Sequence, residues 1–173
     1  TYESGRLFLE EAASLPFGCA VIDVRMPDID GLELQDALRA RGIDIPIVIM
    51  TGHGDVPMAV RAMRAGAVDF VEKPFADHVI LDSVKRALAL ARERQRQAAQ
   101  LAAIRCRVEA LTPREREVMD QLVLGHPNKV IAARLNISPR TVEIHRARVM
   151  EKMQARSLSE LVRMALAIGV VPE

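Results

Sequence analysis

The sequence predicts a parallel α/β layer in its first half and an all-α, helix-turn-helix unit in its second. Short, wholly apolar runs alternate with amphipathic segments as far as Asp77, the pattern of strands buried on both faces and joined by helices. From Val79 to Ala110 there is no Gly or Pro, and Ala, Arg, Gln and Leu dominate, all good helix formers. Beyond Thr112, capping residues and prolines separate four helical segments.

Taken in order, Cys19–Val24 reads as a strand, Leu32–Arg41 as a helix, Pro46–Thr51 as a second strand, Val56–Ala65 as a helix ended by Gly66, and Ala67–Val71 as a third strand. Thr1-Tyr2 reads as the tail of an earlier strand. Glu10-Glu11 follow Leu7-Phe8-Leu9 in a helical pattern and read as a solvated face. A helix opens at Asp77 and continues as a connector, with Leu101, Ile104, Val108 and Leu111 at helical spacing. Thr112-Pro113-Arg114-Glu115 has the form of a capping box with Pro in the first helical position. That helix stops near Gly125-His126-Pro127. Asn128 is expected to cap Lys129–Leu135, Asn136-Ile137 to make a tight turn, and Ser138-Pro139 to open a helix to about Met153. Ser157 begins the last, to about Ile168. The expected divisions are 1–88, 89–107 (linker) and 108–173.

The 173 residues are 50% apolar, enough for a core that hides roughly 70% of the unfolded surface. Charged content is 27% with net charge +1, which excludes disorder as the main state. No run reaches the ~18 apolar residues of a membrane span, and Thr1–Arg6 lacks the basic-then-apolar start of a signal peptide. Cys19 and Cys106 stand far apart with no CxxC partner, which argues against a disulfide framework or zinc cluster and for a reducing cytoplasm. With one Tyr and no Trp, stacking on single-stranded nucleic acid has little to work with. Residues 1–86 carry net −5, 87–107 carry +4 and 108–173 carry +2, a front and a back with different tasks.

In an open parallel sheet, ligands sit at the carboxyl ends of the strands. The three strand ends here carry Asp23, Thr51 and Lys73. A carboxylate can accept a phosphoryl group, and a hydroxyl and an ammonium can hold its oxygens. Val21-Ile22-Asp23-Val24-Arg25-Met26-Pro27-Asp28-Ile29-Asp30-Gly31, Thr51-Gly52-His53-Gly54-Asp55-Val56-Pro57-Met58-Ala59 and Gly66–Phe75 together resemble the receiver domains of two-component systems, in particular the FixJ-type branch. The resemblance implies a flavodoxin-like sheet, Asp23 as phosphoacceptor, Thr51 as switch hydroxyl, Phe70 as rotating aromatic, Lys73 as the phosphoryl-pairing cation before a cis Lys73–Pro74 bond, and Mg²⁺ held by Asp23 and the Arg25 carbonyl. A haloacid-dehalogenase-like site would need an acid where Arg25 stands, and an EF-hand would need Glu where Ala37 stands. Receivers also begin with a strand bearing an acidic Mg²⁺-binding pair, and nothing here matches it. The chain is therefore expected to be a fragment lacking its first strands, or else a degenerate receiver; Mg²⁺ is expected only where that pair is present. Without that strand, the one holding Asp23 becomes an exposed edge.

Residues 129–156 hold 7 Lys/Arg against 2 acids. Leu111–Val118, Gly125, Asn128–Ala132, Leu135, Ile137-Ser138 and Thr141–His145 resemble the LuxR-type output domain over about residues 108–172. On the third helix, Val142, Val149 and Met153 share a core stripe. Glu143, Ile144, Ala147 and Arg148 point toward a major groove, where Glu accepts from cytosine, Arg forks to guanine and apolar groups touch the thymine methyl. Lys129, Arg140, Arg146 and Thr141 are expected to hold phosphates; His145 is either a phosphate contact or a half-buried helix residue. The last helix carries Leu158, Leu161, Val162, Ala165, Leu166 and Ile168, and the resemblance implies a dimer seam there.

The resulting expectation is a non-enzymatic cytoplasmic transcription regulator. A sensor histidine kinase phosphorylates Asp23, the receiver dimerises through its third strand and preceding helix, and the output domain binds double-stranded promoter DNA as a homodimer and engages RNA polymerase. The alternatives are a constitutive DNA-binding regulator with a non-phosphorylatable receiver, or an enzyme using Asp23 on a small phosphoester, for which only His53 is at hand as a base.

Overall fold

The computed structural model describes residues 1–15 and 17–170, so the expected output segment ends beyond the described residues. The chain divides into two compact units, one of Thr1–Arg96 and one from Gln97 onward. The first contains helix α1 (Gly5–Glu11), a short 3-10 turn (Ala12–Ser14), strand β1 (Ala20–Asp23), α2 (Gly31–Ala40), β2 (Ile47–Thr51), α3 (Val56–Arg64), β3 (Asp69–Glu72) and the opening of α4 (Asp77–Glu109). The second contains the close of α4, then α5 (Pro113–Val123), α6 (Asn128–Leu135), α7 (Pro139–Met153) and α8 (Leu158–Ala167).

The strands are parallel in the order β1-β2-β3. Asp23 stands beside Met50, and Thr51 beside Glu72. β2 is central and apolar on both faces. Ile47 and Ile49 pack with Leu34, Leu38 and Ala62, whereas Val48 packs on the other side with Val71 and Ala87. Each fully buried side chain of this size contributes roughly 1.5–3 kcal/mol, so the middle strand anchors the layer. β1 is different: its burial alternates, and Val21 is 40% exposed. Among the described residues no strand pairs with its outer edge. A cavity of about 400 Å³ runs along that edge, walled by Tyr2, Phe8, Val21 and Met26. β1 is thus open on its outer side among the described residues, whereas β2 is buried on both faces.

Local differences have local causes. Thr1-Tyr2 is not strand: the Tyr2 ring packs edge-on against Phe8 at 5.1 Å between centroids, and its hydroxyl donates to Glu11 at 2.9 Å. The third strand starts two residues late because the Ala67 N–H donates back to Ala62 O, closing α3 through Gly66 at φ 93°. Asn128 does not cap α6. Pro127 occupies that position and its carbonyl accepts from the Val130 and Ile131 N–H groups, while the Asn128 side chain accepts from Arg146. Glu10 and Glu11 are exposed on α1, as the helical pattern indicates.

In the second unit Val118, Met119, Leu122, Ile131, Val142, Val149, Met153 and Leu161 form one core with Val108 and Leu111. Thr112 accepts from the Glu115 N–H and the Glu115 carboxylate accepts from the Thr112 N–H, the reciprocal capping box expected of that segment.

Candidate functional site

The carboxyl ends of the three strands meet at one edge. The Asp23 Oδ2 accepts from the Lys73 ammonium at 2.5 Å, and its Oδ1 accepts from the Arg25 N–H at 3.1 Å. Both side chains of the pair are about a third exposed (30% and 39%), so a donor from solvent can reach them. Lys73 is carried there by the sheet itself: its N–H donates to Thr51 O at 2.7 Å, continuing the β2–β3 ladder into a cis Lys73–Pro74 bond. The Val24 N–H does the same to Met50 O at 2.8 Å. Thr51 is buried at 1% exposure, and its Oγ1 accepts from the His53 N–H. Phe70 is half-buried beside the first core.

Gly31 backs this edge. Its N–H donates to Val24 O at 2.9 Å, and a methyl group on its Cα would fall on the Asp23 carbonyl oxygen. Asp30 then caps α2 by accepting from the Leu32 and Glu33 N–H groups. The Asp23–Lys73 pair and Thr51 thus come together as the strand ends suggested, with Phe70 one strand away. The sequence reading missed the Arg25 N–H as an Asp23 donor, and it missed Asp69, whose carboxylate receives the Phe70 N–H, the buried Ser83 hydroxyl and Arg86. An Asp just before a strand aromatic, with Ser and Arg three apart on the following helix, was the available signal.

On the second unit, α6 and α7 are joined by a turn in which Asn136 takes the left-handed conformation (φ 52°). Val142, Val149 and Met153 are fully buried. The opposite face of α7 exposes Arg140, Glu143, Ile144, Ala147 and Arg148. Arg140 pairs with Glu143 at 3.2 Å. Lys129 is exposed at the start of α6. Thr141 is half-buried and shares its hydroxyl with the Ser138 cap. Arg146 is turned toward Asn128 at 3.3 Å. His145 is half-buried, with its Nδ1 enclosed.

The first unit thus presents a strand-end carboxylate paired with a lysine, with a buried threonine at the neighbouring strand end, and the second a helix-turn-helix whose longer helix exposes Arg140 and Arg148. Residues 1–85 match the response regulator receiver domain family, and residues 109–165 the luxR family of bacterial regulatory proteins. The chain is 52% identical over 171 residues to the transcriptional regulatory protein FixJ of Azorhizobium caulinodans, covering 99% of this chain and 81% of that protein. It is 49% identical over 170 residues to FixJ of Bradyrhizobium diazoefficiens, covering 98% and 83%. The solved structure of the response regulator StyR superimposes with a TM-score of 0.82 at 40% identity, over 96% of this chain and 84% of that one. The chain belongs to the FixJ-type two-component response regulators, transcription regulators with a receiver and a LuxR-type DNA-binding domain.

Receiver domains use Mg²⁺ in phosphorylation. The described residues contain no cluster of three His, Cys, Asp or Glu that could hold a metal. Asp23 and the Arg25 carbonyl would supply two oxygens of the six that Mg²⁺ requires, and the Asp23 carboxylate is already engaged by Lys73. These residues do not make a Mg²⁺ site by themselves. Among the described residues, no helix is long and apolar enough to cross a membrane.

Proposed function

We propose that Asp23 is the phosphoacceptor and that its phosphorylation controls promoter binding by the second unit. The observation that carries this is the Asp23–Lys73 ion pair beside the buried Thr51 hydroxyl. A phosphohistidine on a sensor kinase is attacked by an Asp23 carboxylate oxygen: the N–P bond breaks, the O–P bond forms, and the histidine nitrogen leaves with the electron pair. Lys73 balances the added charge and the Arg25 N–H holds the carboxylate in line. The Thr51 hydroxyl, which accepts from the His53 N–H, turns its O–H to donate to a phosphoryl oxygen, and Phe70 follows.

The receiver then pairs with a second copy through α3 and β3. Val56 (76% exposed), Val60 and Met63 lie along one stripe of α3 at spacings of four and three. In the output unit, Glu143, Ile144, Ala147 and Arg148 read base edges, and Lys129, Arg140 and Thr141 hold phosphates, with Arg146 and His145 at their margin. Val162 and Leu166 on the outer side of α8 form the seam between two copies on a two-fold site. The protein acts in the cytoplasm and engages RNA polymerase from the promoter.

The test is phosphotransfer from a sensor kinase to the wild-type protein and to D23N. Labelling of the wild type alone is expected; persistent labelling of D23N removes Asp23 from the mechanism. On DNA, R140A should weaken all sequences alike, whereas R148A should relax sequence preference, each good base contact being worth about 1–3 kcal/mol. Binding that ignores phosphorylation altogether would favour the constitutive regulator.

A further inference from the structure

Four residues separate the end of β2 from the start of α3, and two of them are glycines. They stand in different surroundings. A methyl group added at Gly52 meets nothing within 4 Å, whereas one at Gly54 meets Thr51 Cγ2 at 3.1 Å, Phe70 Cε1 at 3.1 Å and Phe70 Cζ at 3.4 Å. Gly54 does not take a positive φ, so its φ does not call for glycine. What opposes a side chain is space, and the three atoms nearest to that methyl position belong to Thr51 and Phe70. Thr51 is buried and has nowhere to retreat; Phe70 is half-buried and can be displaced. The next residue, Asp55, caps α3 by accepting from the Met58 N–H at 2.8 Å. A side chain at position 54 would therefore press on both the hydroxyl residue and the aromatic, one residue before the Asp55 cap of α3, and close packing of neighbouring groups is the physical means by which a local shift is passed on.

We propose that Gly54 is a positioning residue of the switch: the gap left by its missing side chain is the space through which Thr51 and Phe70 move together, and filling it uncouples phosphorylation of Asp23 from DNA binding. This rests on the phosphorylation reading above. A methyl at 3.1 Å from both partners demands a shift of a few tenths of an ångström, which is enough to hold Phe70 in one position when cores respond to a single methylene.

The test uses the full-length protein, acetyl phosphate as phosphodonor, and a duplex selected by the phosphorylated wild type from a random-sequence pool. Affinity is measured with and without phosphorylation. The wild type is expected to gain about tenfold or more, within the usual range of coupling between sites. G54A is expected to accept phosphate on Asp23 yet gain about twofold or less. Adding Thr51→Ser to G54A withdraws the crowding methyl while keeping the hydroxyl, and should restore part of the gain if the crowding is the cause. In the wild type, the nuclear Overhauser effect between the Gly54 Hα protons and the Phe70 ring should change on phosphorylation; this reading needs no variant to fold. A gain in G54A equal to that of the wild type, or an unchanged Gly54–Phe70 contact, overturns the role of Gly54 alone. A wild type that is labelled on Asp23 and gains nothing removes the switch, and the Gly54 role with it.

Discussion

Glu115 does two jobs with one carboxylate. Its Oε2 accepts from the Thr112 N–H at 2.9 Å, closing the capping box of α5, and from the Lys152 ammonium at 2.6 Å, tying α5 to α7. Lys152 also donates to Ala110 O. The residue is 2% exposed. The Lys152 bond, followed by the Thr112 backbone bond, holds the Glu115 carboxyl well below its ordinary 4.5, at about 2. The folded state thus binds fewer protons than the unfolded one, so this carboxylate stabilises fully above about pH 4.5 and its contribution is lost as pH falls toward 2. Denaturant unfolding of the intact chain should show the second unit weakening across that window, with a shallower pH slope in E115Q. An unchanged slope would remove Glu115 from the account. The capping box was legible in Thr112 and Glu115 three apart; the lysine 37 residues further on was not, because only packing of α7 on α5 brings it there.

At the level of elements, α7 and β1 make contrasting cases. α7 begins at the Ser138 cap, whose Oγ accepts from the Thr141 N–H at 3.0 Å. S138A should cost about 0.5–2 kcal/mol of stability and also weaken DNA binding, since it frays the turn that aims Arg140 and Glu143. Loss of stability with unchanged affinity would separate the cap from the DNA-facing surface. Among the described residues β1 has no strand on its outer edge, and Val21 is 40% exposed; an unpaired edge invites pairing with other strands. V21K should suppress self-association of this chain in light scattering while leaving its helical circular dichroism intact. Equal association in both would place the contact elsewhere. Strand positions were legible from apolar runs such as Ile47–Met50. Their boundaries were not, since Ala67 reads as strand by composition and is taken by the closure of α3.

For the whole molecule, near-neutrality conceals an acidic front and a basic back. DNA affinity should fall steeply and linearly in log–log form with salt, as release of counterions from contacted phosphates requires. A flat dependence would argue against Lys129 and Arg140 as phosphate contacts. The receiver unit, at net −5 over residues 1–86, should contribute nothing to that slope.

By itself the sequence determined the order of strands and helices, the residues at the three strand ends, and the buried stripe of α7. All three follow from local periodicity and from chemistry carried by neighbouring residues. Only the tertiary structure decided that Asp23 is held by Lys73 on one oxygen and the Arg25 N–H on the other, that Arg146 turns to Asn128, that Glu115 finds Lys152, and that a side chain at Gly54 would press on Thr51 and Phe70. Each of these depends on groups that chain folding brings together from separate elements or loops, and on how much space is left between them.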